Sequence, residues 1–95
     1  MFYTKFCPFC GKYGAVGFWR CSDGKTIVLT CDECDATWLN PASVSAEFAL
    51  FPASPDFIVD NLGCSLSGPK AGWAEREEIK AAGWDPFIAG EGGAL

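Results

Sequence analysis

Four of the six cysteines fall into two close pairs, Cys7-Pro8-Phe9-Cys10 and Cys31-Asp32-Glu33-Cys34, with twenty residues between the pairs. Two residues between cysteines let a tight turn aim both sulfurs at one ion, while turn amides hydrogen-bond to the thiolates and spread their charge. The chemistry predicted is metal binding by Cys7, Cys10, Cys31 and Cys34. Four thiolates close the coordination shell of a tetrahedral ion, so such a site staples a fold and does not activate water. Pro8 presets φ inside the first turn. Gly11 readily takes the left-handed conformation expected after its second ligand, and Asp35 must take it in the second turn at some cost. Cys21 and Cys64 lie outside the paired spacing and read as small buried hydrophobes, the alternative being a reactive thiol or a spare ligand.

Composition excludes much else. The chain has 95 residues, 49% hydrophobic and 20% charged, with eight Phe, four Trp and two Tyr. That supplies a core and argues against a disordered chain. There is no histidine, which removes imidazole acid–base catalysis and the Ser-His and Cys-His pairs. The carboxylates show no catalytic spacing and no glycine-rich phosphate loop is present, so no enzyme is expected. Lys and Arg number 7 against 12 Asp and Glu, for a net charge of -5. This is a poor match to phosphate backbones, and four thiolates around one dication make it poorer. No apolar run approaches the roughly 18 residues of a membrane span and the N-terminus does not read as a signal peptide, so a cytoplasmic protein is expected, where six cysteines favour metal over disulfides.

The two knuckles resemble those of the zinc-ribbon superfamily, in which paired C-x2-C turns on two β-hairpins clamp one structural zinc. The resemblance covers residues 5 to 38 and implies one Zn²⁺ per chain. A rubredoxin-like alternative places iron in the same thiolates, but the second pair lacks the Pro and Gly usual there. A thioredoxin-type redox motif needs a helix start in a βαβ unit, and none is apparent.

The elements that must position these cysteines can be read between and after them. Tyr13 to Cys21 and Lys25 to Thr30 flank Ser22-Asp23-Gly24, a hairpin with a type I′ turn at Asp-Gly, and the alternation Thr26, Val28, Thr30 against Ile27, Leu29 gives its second strand two unequal faces. Trp38 and Leu39 continue the sheet. Asn40-Pro41 reads as an N-cap and first residue of a helix over Ala42 to Leu50, whose stripe is Val44, Phe48 and Phe51 and which Pro52 closes. Phe57 to Val59 is a strand or single turn, and Gly63 to Gly72 a loop. A second helix runs from Trp73 to Ala82, with Trp73, Arg76, Ile79 and Ala82 on one face and Gly83 as its stop. The fold class expected is α+β: a small zinc ribbon of β-hairpins followed by one or two short helices packed on it. It forms one domain over 1–95, divided into a ribbon (5–38), a helical and loop part (39–88) and a glycine-rich tail (89–95) that stays flexible unless something holds it.

The function expected is noncatalytic. One hypothesis is a protein-binding module that docks on a basic partner through Asp32, Glu33 and Asp35 on the knuckle and Glu75, Glu77 and Glu78 on the helix. In size and charge the chain is similar to small acidic bacterial immunity proteins, and that similarity implies neutralisation of a cognate basic toxin, such as a nuclease. The alternative is a nucleic-acid-binding or transcription- or translation-associated ribbon using Lys5, Lys12, Arg20 and Lys25 as a basic edge near the first knuckle. Charge favours the first.

Overall fold

Strands β2 (Ala15–Arg20) and β3 (Ile27–Cys31) form the hairpin around which everything else is arranged. The computed structural model describes residues 1–10, 14–54 and 56–92. Pairing runs from Val16↔Cys31 to Arg20↔Ile27. All five residues of β3 are buried, as expected of a central strand covered on both faces. The period-2 alternation divides the hairpin into two faces. Val16, Phe18, Ile27, Leu29 and Cys31 enter one core with Trp38, Val44 and Ile79, whereas Val28 joins Cys21, Cys64 and Trp19 in a smaller core behind the sheet.

The remaining strands fill the edges. β1 (Phe2–Phe6) pairs with the first half of β2 and β4 (Thr37–Trp38) with β3. β5 (Ile58–Val59) and β6 (Cys64–Ser65) form a separate two-stranded hairpin, which contributes Cys64 to the smaller core. β7 (Gly72–Trp73) pairs with the second half of β2, on the edge that β1 leaves free. β8 (Gly90–Glu91) pairs with β1, which completes a six-stranded antiparallel sheet. The one α-helix among the described residues, α1 (Arg76–Ala81), places the fully buried Ile79 against the main core. The molecule is thus mostly antiparallel strand with one short helix.

Several expectations change at this level. Ala42 to Leu50 is not a helix: Pro41–Ser43 makes only a 3-10 turn, capped as expected by the Asn40 carboxamide accepting from Ser43 N. Beyond it the Trp38 indole N–H takes the Ser45 carbonyl at 2.8 Å, and Leu50 returns to bridge Thr37 through two 2.8 Å backbone bonds. Serine hydroxyls that bond nearby carbonyls, as Ser43 and Ser45 do, compete with a helix ladder. The second helix begins later than its periodicity predicts, because Trp73 belongs to β7 and Ala74 N donates to Phe18 O. Its end agrees: Gly83 has φ +79, Gly83 N bonds Lys80 O and Trp84 N bonds Ile79 O, the paired bonds of a Schellman stop. Residues 89–92 are held rather than loose, since Ala89 N donates to Tyr3 O and Gly92 N to Met1 O; 93–95 lie outside the described residues. The segment 63–72 is loop only between β6 and β7.

The hairpin turn also differs. Only Gly24 of the Asp-Gly pair has positive φ, so the turn is not type I′. Asp23 instead closes a four-residue loop by accepting from Lys25 N, Thr26 N and the Thr26 hydroxyl. These bonds, the hydroxyl's foremost, hold its carboxyl at about 2, below the usual aspartate value. A folded-state value below the unfolded one means the stabilisation is fully present above about pH 4 and is lost as pH falls towards 2. Asp23→Ala is therefore expected to lower stability by about 1 kcal/mol, with an equal melting-temperature gap at pH 7 and pH 5 that narrows only below about pH 4.

Candidate metal centre

The chain reversals that join strands create the site. The first pair of cysteines sits between β1 and β2, where Cys7 N donates to Gly14 O at 2.8 Å, and the second between β3 and β4, where Cys31 N donates to Ala36 O at 2.9 Å. Asp32 N donates to Ala15 O at 3.1 Å, which locks the two reversals side by side. The Sγ atoms of Cys7 and Cys34 are 3.7 Å apart, those of Cys10 and Cys31 also 3.7 Å, and all four lie within 4.8 Å of one another. A tetrahedral ion at about 2.3 Å from each sulfur separates them by about 3.8 Å. The quartet fits a metal ion and is consistent with a zinc-binding fold.

Cys7 and Cys31 are buried, Cys10 and Cys34 half-buried. Burial pushes the Cys31 and Cys34 thiols above their usual value, although backbone N–H groups, of Glu33 and Cys34 for the first and Ala36 for the second, act against it. At Cys10, desolvation also acts upward but is outweighed by hydrogen bonds, led by those of Cys7 and the Gly14 backbone. A metal ion bound here would displace the protons that these sulfurs hold and offset the charge of the resulting thiolates.

Gly14 is a site residue that the cysteine spacing did not single out. A Cβ built there collides with Cys31 Sγ and meets Asp32 Oδ1 at 2.9 Å. The start of β2 passes directly over a ligand sulfur, and only a residue without a side chain fits. Gly14→Ala is expected to push the two knuckles apart and lower metal affinity at least tenfold, in the range seen when groups supporting a ligand are disturbed. A competition titration against a chelator reads this directly. Asp35, at φ 62, takes the left-handed conformation anticipated after Cys34; Gly11 lies outside the described residues.

The acidic candidates do not form one surface. Asp32 spends one oxygen on Ala15 N at 2.9 Å, whereas Glu33 and Asp35 are exposed beside the knuckle. Glu75 and Glu77 are exposed on α1. Glu78 is committed within the fold: its carboxylate accepts from Arg20 at 2.6 Å and from Glu75 N at 2.9 Å. Since Asp32 adjoins the first residue of β2 and Glu78 the last, the two groups lie roughly 17 Å apart at the rise of a strand. The basic edge fails to assemble. Arg20 is paired at the hairpin end away from the knuckles, Lys25 lies in the turn at that same end, and Lys5 Nζ reaches Val44 O at 3.3 Å. Lys12 lies outside the described residues. Cys21 and Cys64 are both buried behind the sheet, and burial followed by the neighbouring Cys64 thiol pushes Cys21 up to about 12.

Phe48 and Phe51, expected as an inward stripe, are 58% and 50% exposed, like Phe6 at 58% and Phe9 at 52%. Phe51 meets Phe9 of the first knuckle edge to face at 4.9 Å.

Over 67 residues, 65% of its length, the chain is 34% identical to the uncharacterized protein L48 of Acanthamoeba polyphaga mimivirus. The chain spans about half the length of that viral protein, 53% of which is matched. No family model and no solved structure matches. No helix among the described residues is long and apolar enough to cross a membrane.

Proposed function

We propose that the chain is a noncatalytic protein-binding module of zinc-ribbon type, stapled by one structural Zn²⁺ and docking on a basic protein. The observation that carries the proposal is the Phe9–Phe51 pair, half exposed at the first knuckle, while Glu33 and Asp35 are exposed on the second. Exposed aromatics gathered on a rigid, metal-fixed turn and rimmed by charge are what a binding surface presents, since anchors of that kind carry most of the energy of an interface. Zinc is favoured over iron by the second knuckle, where Asp-Glu stands between the cysteines and Asp follows them. The most specific form of the proposal is an immunity protein, whose acidic surface covers and neutralises a basic toxin.

The test compares capture by the zinc-loaded protein with nucleic-acid shift at about 150 mM salt, where screening is near physiological. The wild type is expected to hold a basic protein less well as salt rises. Phe9→Ser with Phe51→Ser should reduce capture at least tenfold, as anchor removal does, and Glu33→Lys with Asp35→Asn should slow association, zinc content being unchanged in both. Binding to DNA or RNA with no protein recovered overturns the proposal in favour of a nucleic-acid ribbon.

A further inference from the structure

A cavity of about 260 Å³ opens beside the second knuckle. It is lined by Trp19, Trp73, Phe57 and Leu66 together with Asp32 and Asp35. The two indoles meet edge to face at 4.8 Å and 87°, so their planes form a corner. The Trp19 indole N–H is already spent on Leu66 O at 2.9 Å, so that donor is not offered to the cavity, whose remaining lining is Thr30, Cys31 and Ser67. Phe57 is held there at φ 51, a conformation costly for an aromatic residue, by bonds from Phe57 N to Ala53 O and from Leu66 N to Phe57 O. No lysine or arginine lines the cavity.

Aromatic faces attract cations, and carboxylates at the same mouth attract hydrogen-bond donors. A quaternary ammonium uses only the first. A lysine ammonium is compact and strongly hydrated. A guanidinium is planar, weakly hydrated and forked, so it stacks on an indole while donating to a carboxylate. The volume is below that of usual small-molecule sites and suits one side chain.

We propose that this cavity receives an arginine side chain of a partner protein, stacked against Trp19 and Trp73 and hydrogen-bonded to Asp32 and Asp35. The inference rests on the basic-partner proposal and names the residue such a partner inserts. The site lies on the second knuckle and shares with the Phe9–Phe51 surface only Asp35.

The test is a ¹H–¹⁵N NMR titration of the zinc-loaded protein with the capped peptide Gly-Gly-Arg-Gly-Gly, up to about 20 mM, since a single side chain binds weakly. Saturable shifts are expected at the Trp19 indole N–H and the Asp32–Asp35 amides. The same peptide with citrulline, isosteric but uncharged, is expected to bind at least tenfold more weakly, and lysine to fall between them. Asp32→Asn with Asp35→Asn keeps an oxygen for Ala15 N and tolerates the left-handed backbone, and should weaken the arginine peptide at least tenfold at unchanged zinc content. Phe57→Gly relieves the strain and removes a wall, so it should weaken binding without lowering the melting temperature. Absence of shifts, equal binding of citrulline, or shifts centred elsewhere overturns the proposal. The titration needs no partner, so its failure leaves the Phe9–Phe51 capture experiment to decide the broader proposal separately.

Discussion

A Cys31→Ser protein is expected to lose its metal and, with it, the arrangement of residues 1 to 38. Cys31 ends β3, is 2% exposed and sits 3.7 Å from Cys10 Sγ, so a serine there replaces a thiolate with a neutral hydroxyl in a largely buried place. Structural zinc contributes on the order of 10 kcal/mol to small domains of this kind. Loss of even a third of that lowers the melting temperature of a domain of this size by about 15 °C. The knuckles feel the loss first, since the reversals are tied to the sheet by a few backbone bonds apart from the ion. Elemental analysis of the purified variant, beside wild type stripped by a chelator, should give the same metal-free species. Full metal content with an unchanged melting profile would show that Cys31 is not required as a ligand.

The second large effect lies in the main core. Trp38 in β4 has no exposed surface and packs among Phe18, Leu29 and Ile79 in the main core, while its indole N–H holds Ser45 O at 2.8 Å. Trp38→Ala is expected to cost about 3–5 kcal/mol, a large share of the stability of a domain this small. Trp38→Phe retains most of the packing and loses the indole donor, so about 1–2 kcal/mol is expected. Denaturant unfolding of the zinc-loaded variants measures both. Equal costs would mean that the hydrogen bond, and not ring volume, is what Trp38 supplies.

The cysteine quartet, the β2–β3 hairpin, the continuation through Trp38, the Asn40 cap and the Gly83 stop were legible because each is written locally. Spacing, alternation and a capping side chain act over a few residues. What was not legible depends on pairing across long separations. Two-residue strands such as β7 and β8 carry no periodicity, and Trp73 reads equally well as the start of a helix until β2 offers it a free edge. Phe48 and Phe51 fit a helical stripe, yet Ser43, Ser45 and the Trp38 indole redirect the backbone between them. Gly14 carries no signal as a lone glycine, since its constraint comes from a sulfur in the other knuckle. The cavity was hidden for the same reason: its walls come from β2, β7, the second knuckle and the residues on either side of the β5–β6 hairpin, which no window of sequence places together.

The shared edge of β2 also governs the order in which the chain assembles. Its first half is covered by β1, close in sequence, but its second half waits for β7. The Arg20 guanidinium that fixes this junction reaches Lys70 O, 50 residues on. Closing so long a loop costs more entropy than closing the knuckles, so β7 is expected to dock after the knuckles have formed, and the Trp19–Trp73 contact reports that step. Until it docks, the outer part of β2 presents unpaired N–H and C=O groups, a template for a strand from another chain. Aggregation during refolding should therefore be confined to the interval before the two indoles meet.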